Sequence, residues 1–168
     1  MKKIKNKYRI ESTRLKKYDY SKSNAYFITI VTKERKHYFG RIENDKIQLS
    51  KIGKIALEEW YKTLEIRSDM NLELDAFVVM PNHIHGIIII GENKYNTETI
   101  KIETEEKQEK AEYKNKFGRQ SKNIASIIRG YKSAVTTKTR KIKTEFEWQA
   151  NYHDRVIRNE KEYNRIKK

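Results

Sequence analysis

The sequence predicts an α+β domain: an antiparallel sheet with helices mainly on one face, for which a ferredoxin-like arrangement is the most economical version. Three observations carry the prediction. The run "AYFITIVTK" at 25–33 alternates like a half-buried strand. The run "LELDAFVVMPNHIHGIIII" at 72–90 is two apolar stretches broken at Pro81-Asn82, the chain's one proline and a natural turn. Two further stretches set apolar residues at helical spacing, one on either side of that strand pair.

Each element follows in order. Residues 1–24 read as a basic, tyrosine-containing arm leading into the first strand. "YFGRIENDKIQLS" then places Asn44-Asp45 between two short β-prone runs, a hairpin signal. Ser50 is a candidate N-cap, and Ile52, Ile55, Ala56, Trp60 and Leu64 form the apolar stripe of a helix running to about Arg67. The strands at 72–80 and 83–90 come next, as a hairpin in the centre of the sheet. Residues 92–116 hold seven Glu and six Lys with no apolar face, and predict a surface insertion, mobile or partly helical. Ile124, Ile127, Ile128, Tyr131 and Val135 mark a second helix over 122–142. "EFEWQANYHDRVI" predicts a short strand and a loop, and Asn159 with Glu162 opens a last helix.

The 168 residues make one domain with a moderate core. There is no cysteine, hence no disulfide and no thiol chemistry. No run of 18 apolar residues exists and the basic N-terminus lacks a signal-peptide core, so a cytoplasmic protein without a membrane span is expected. The net charge of +15 is concentrated in two stretches: 2–18, with eight Lys/Arg and one acid, and 119–143, with eight and none. Clusters of this kind fit a polyanion. Arg14, Lys16 and Lys17 of the arm, with Arg119, Lys122, Arg129, Lys132, Lys138 and Arg140 of the stretch 119–143, are therefore candidate DNA-binding residues, and Tyr8, Tyr18 and Tyr20 are available to stack on bases.

His83 and His85 lie two apart on a strand and so share a face, where two neutral imidazoles can hold one divalent metal. Two histidines bonded to backbone near a turn are the plainer alternative. "MPNHIHGII" resembles the His-hydrophobic-His motif of the single-tyrosine HUH transposases, the insertion-sequence-200-like superfamily. With "STRLKKYDYSKSNAYFITIVT", "SIIRGYKSAVT" and "WQANYHDRVIRNEKEYNRI", the resemblance is closest to the REP-associated tyrosine transposases, and spans nearly the whole chain in four ordered blocks.

The resemblance implies a ferredoxin-like domain that binds single-stranded DNA, often as a hairpin, and uses Mg2+ or Mn2+. It implies a tyrosine hydroxyl that attacks a DNA phosphate, forms a 5′-phosphotyrosine and frees a 3′-OH. His83 and His85 carry over as the metal ligands. The family's nucleophile, matched onto "NEKEYNRIKK", falls one position past Lys168. Tyr163, six residues earlier, is turned by roughly 240° from that position and set back by about 9 Å; it, and Tyr152, which lies near the expected site, are weak candidates for the catalytic residue. Tyr131 is read as a packing or base-stacking side chain. A monomer or homodimer is expected. The competing readings are a catalytically inactive or truncated module that binds single-stranded DNA, and an RNA-binding protein, which would lack the RRM aromatic signature.

Overall fold

The computed structural model describes residues 3–4, 7–8, 14–15, 18–97 and 121–168. Two short strands, β1 (Lys3–Ile4) and β2 (Lys7–Tyr8), pair as a small antiparallel ribbon. The main sheet is built from β3 (Asn24–Val31), β6 (Leu72–Met80), β7 (His83–Ile90) and β8 (His153–Ile157), in the order β6-β7-β3-β8 with every neighbour antiparallel. A separate hairpin, β4 (Gly40–Glu43) and β5 (Lys46–Leu49), turns at Asn44 and Asp45. Both turn residues take positive φ (49° and 59°), which short polar side chains tolerate. The helices are α1 (Lys51–Ile66), α2 (Ile124–Thr139) and α3 (Glu160–Lys167). With the inserted hairpin set aside, strand, helix, strand pair, helix, strand in this sheet order is the ferredoxin-like arrangement.

Period-two alternation divides the sheet into two faces. Tyr26, Ile28 and Ile30 of β3 and Ile84, Ile88 and Ile90 of β7 are buried on one face, under the apolar stripes of α1 and α2. Ser50 caps α1 by accepting from the Gly53 amide at 3.0 Å. Asn123 and Ser126 cap α2 reciprocally, so this helix begins at Ile124 rather than at 122. Tyr131 is a packing residue: it is buried, and its hydroxyl donates to the Ala56 carbonyl at 2.9 Å, tying α2 to α1. Gly86 is explained by Trp60, which stacks on Phe77 at 4.4 Å; a Cβ at 86 would meet the indole at 2.4 Å.

The strands at 72–80 and 83–90 form as the apolar pattern predicts, with Pro81-Asn82 as the turn, but only β7 is central; β6 lies at the edge, paired on one side alone. A bulge between Leu74 and Phe77 breaks the β6–β7 register. Trp148 joins the sheet only by an isolated bridge to Thr32, because the following strand starts five residues later. Of the predicted 92–116 insertion, a helical turn at 94–97 organised by Asn93 is described, and its remainder lies outside the described residues. Asn159 caps α3, but Glu162 accepts from the Arg158 amide rather than from that of Asn159.

The helix α3 has no buried residue and does not join the other two. Glu162 pairs with Arg155 on β8 and Lys167 pairs with Asp75 on β6, the two edge strands, so α3 spans the second face of the sheet.

Candidate metal centre and nucleic-acid interface

His83 and His85 open β7 directly after the turn, on that second face. Their ring centroids are 4.6 Å apart and the planes are 76° to one another. Asn82 donates through Nδ2 to the Arg35 carbonyl at 3.1 Å, which turns its Oδ1 toward His83 Nδ1 at 2.7 Å. Nδ1 of His83 therefore carries the proton, and Nε2 presents a lone pair. His85 Nδ1 is 2.8 Å from Thr29 Oγ1, which likewise leaves Nε2 for another partner. Burial lowers both imidazole pKa values, helped at His83 by the Arg35 guanidinium and at His85 by His83. Both rings are neutral at pH 7, the state a metal requires. This is the usual way a ligating histidine is oriented by its other nitrogen.

The two imidazoles thus fit a divalent cation as a partial ligand set. Among the described residues no group of three or more His, Cys, Asp or Glu is placed to share one ion. Cross-strand register explains the neighbours: Thr29 of β3 pairs with His85 on one side and with His153 on the other. His153 is exposed and, two strands from His85, about 10 Å away on sheet spacing. Phe27 stacks on His85 at 5.3 Å, and Arg155 lies opposite Phe27 in register. Asn82, Thr29 and Arg35 carry no motif of their own. Only the position of Asn82 beside His83 hints at its role, and Thr29 and Arg35 become visible only once strands are paired.

The candidate DNA-binding residues divide by what they touch. Lys16, Lys17 and Arg119 lie outside the described residues. Arg14 donates to the Tyr152 hydroxyl and lies 4.9 Å from that ring's centroid and 5.6 Å from that of Tyr20. Lys122 is paired with Asp69, and Lys138 with the buried Glu59. Lys132 bonds the Gln149 carbonyl at 2.7 Å and that of Ala150 at 3.3 Å, and burial lowers its pKa. Arg140 donates through Nε to the Phe146 carbonyl at 3.2 Å with its side chain exposed, and Arg129 is exposed on α2. A further cationic group, Arg155, Lys161, Arg165 and Lys168, lines one pocket at β8 and α3, outside the two charge-rich stretches.

Of the tyrosine candidates, Tyr152 is packed against the core, and burial holds its phenol well above the usual range. It is protonated at neutral pH and bonded to Arg14. Tyr163 lies half-buried on α3, with the Lys167 ammonium 5.7 Å from its ring centroid. No described helix is long and apolar enough to cross a membrane.

No family model matches the chain. It is 36% identical over 156 residues to an uncharacterized protein of Haemophilus influenzae, an alignment that covers 92% of this chain and 82% of the relative. Among solved structures it resembles a REP-associated tyrosine transposase bound to a REP hairpin, with a TM-score of 0.58 and 17% identity over 94% of this chain and 68% of the other. The chain therefore belongs to the same family as the Haemophilus influenzae protein, and has the fold of the REP-associated tyrosine transposases that its sequence resembles.

Proposed function

We propose that the protein binds single-stranded DNA, including hairpins, and serves as an HUH single-tyrosine transposase in which His83 and His85 hold Mg2+ or Mn2+. The observation that carries this is the imidazole pair: two neutral rings on one sheet face, each fixed through Nδ1, each with Nε2 available. Two protein ligands leave the remaining positions to water and to phosphate oxygens of the DNA. A bound cation there would polarise the scissile phosphate and offset charge developing on it.

The chain's own groups do the rest. Arg35 adds positive charge beside His83. Asn82 and Thr29 hold the rings in register. By the resemblance, the family's nucleophile position would lie one residue past Lys168, on the line of α3. The tether of Lys167 to Asp75 supports that placement, because it brings this end of the helix to β6, the strand paired with the histidine-bearing β7. A tyrosine hydroxyl there would attack phosphorus and release a 3′-OH, and the reverse attack would rejoin the strand, with the phosphodiester conserved as a phosphotyrosine.

Two measurements test the proposal. Calorimetric titration with Mn2+ should give weak binding to the wild type and none to the double variant His83→Ala, His85→Ala; equal heats would refute the ligand assignment. A labelled single-stranded hairpin with Mn2+ should yield a covalent adduct on a denaturing gel when a helical extension beginning with tyrosine follows Lys168. An extended chain that binds the hairpin but stays inert would leave only the binding-module reading. An adduct with the unextended chain would direct attention to Tyr152 and Tyr163, separable by Tyr→Phe substitution.

A further inference from the structure

The free edge of β8 carries a group that metal and nucleophile chemistry do not use. Asp154 pairs in register with Ile28, so its carboxylate points to the core side of the sheet. The side chain has no solvent exposure, and neither oxygen has a hydrogen-bond partner. Arg14 Nε is 3.7 Å away, an ion-pair distance but longer than a hydrogen bond. A buried acceptor without a donor is costly, and in a native structure it calls for an explanation.

Beside it lies a pocket of about 320 Å³, bounded by Leu15, Tyr20, Asp154, Arg155, Arg158 and Glu162. The arm forms one wall of it: the Leu15 amide donates to the Tyr20 hydroxyl at 3.0 Å, and Arg14 covers the carboxylate. One buried acceptor-only group, an aromatic ring and two arginines, of which Arg155 is paired with Glu162, are the parts of a nucleotide site. A free anion would meet the carboxylate, and a metal ion would meet the arginines, so neither fits the whole.

We propose that this pocket takes one unstacked guanine of the bound strand, its N1–H and exocyclic N2–H donating to the two Asp154 oxygens once Arg14 swings aside, with Tyr20 alongside the base and Arg158 near the adjoining phosphate. Guanine is selected because it alone offers two adjacent N–H donors on its Watson–Crick edge. Adenine and cytosine set an acceptor nitrogen beside their amine, and thymine has one N–H between two carbonyls; each would turn a lone pair toward the carboxylate. The proposal rests on the single-stranded DNA reading and adds base selection to it.

The test is fluorescence anisotropy with single-stranded oligothymidylate carrying one guanine, or one hypoxanthine, at each position in turn. Hypoxanthine lacks only the N2 amine. At one position the wild type should prefer guanine to hypoxanthine by about tenfold. Asp154→Asn should lose that preference and favour xanthine instead, whose O2 can accept from the new amide. Its melting temperature shows whether the variant is folded, and the wild-type comparison needs no variant at all. Strands that bind equally well with guanine or hypoxanthine would overturn the pocket and leave DNA binding intact. A folded Asp154→Asn protein that keeps the guanine preference would overturn the role of Asp154. No binding to any strand would overturn both readings.

Discussion

Asp154 connects a single side chain to the stability of the domain. Burial raises its pKa above the ordinary carboxylate value, so the charged form is disfavoured in the folded state. The sign follows from linkage: this penalty is absent below the unfolded value of 3.8, grows as pH rises toward the folded value, and is fully present above it. Asp154→Asn should therefore melt higher than the wild type at pH 7, and the two melting curves should converge near pH 3. Gly86 is the opposite case, a residue whose absence of side chain is required. Gly86→Ala drives a methyl group into the Trp60 indole, and should cost about 1–3 kcal/mol in urea denaturation, with a change in tryptophan emission. For the histidines, lowered pKa values mean that metal affinity should persist at pH 6.5 and fall only under more acidic conditions, as a pH series of the Mn2+ titration would reveal.

At the scale of the element, α2 and α3 contrast. The helix α2 is sealed by a reciprocal cap and seven buried residues, so it is held by packing as well as by its ends. Asn123→Ala should cost about 1 kcal/mol, since the cap is one contribution among many. The helix α3 has eight residues, none buried, and is held by ion pairs at its two ends. Helices this short are marginal unless packed. Backbone amides of α3 should therefore exchange with deuterium well before those of α1 and α2, and Lys167→Ala should widen the gap.

For the molecule as a whole, the +15 charge sets the expectation of steep salt dependence in DNA binding. The cations do not contribute alike. Arg129 is exposed on α2, and Arg129→Ala should lower the slope of log affinity against log salt by about one. Lys132 already bonds two backbone carbonyls, and Lys132→Ala should instead reduce stability by about 1 kcal/mol with less effect on the slope.

The sequence by itself determined the elements and their inner faces. Alternation in β3 and β7, the spacing of Ile52, Ala56 and Trp60, and the turn at Pro81-Asn82 are local patterns, and local patterns set which side of a strand or helix is apolar. It also determined that His83 and His85 stand together, because that follows from a period of two along one strand. What it could not contain is which residues face them from elsewhere. Thr29 is 56 positions from His85, and only the β3–β7 register joins them. Charge counting singled out Lys132 and Lys138 although both are engaged within the fold, since a lysine's partner is chosen by the packed fold and not by its neighbours in sequence. Asp154 reads as an ordinary polar residue in "YHDRVI"; that its carboxylate is buried without a donor, behind an arm from the other end of the chain, was decided by tertiary structure alone, because desolvation depends on what three-dimensional packing removes from water.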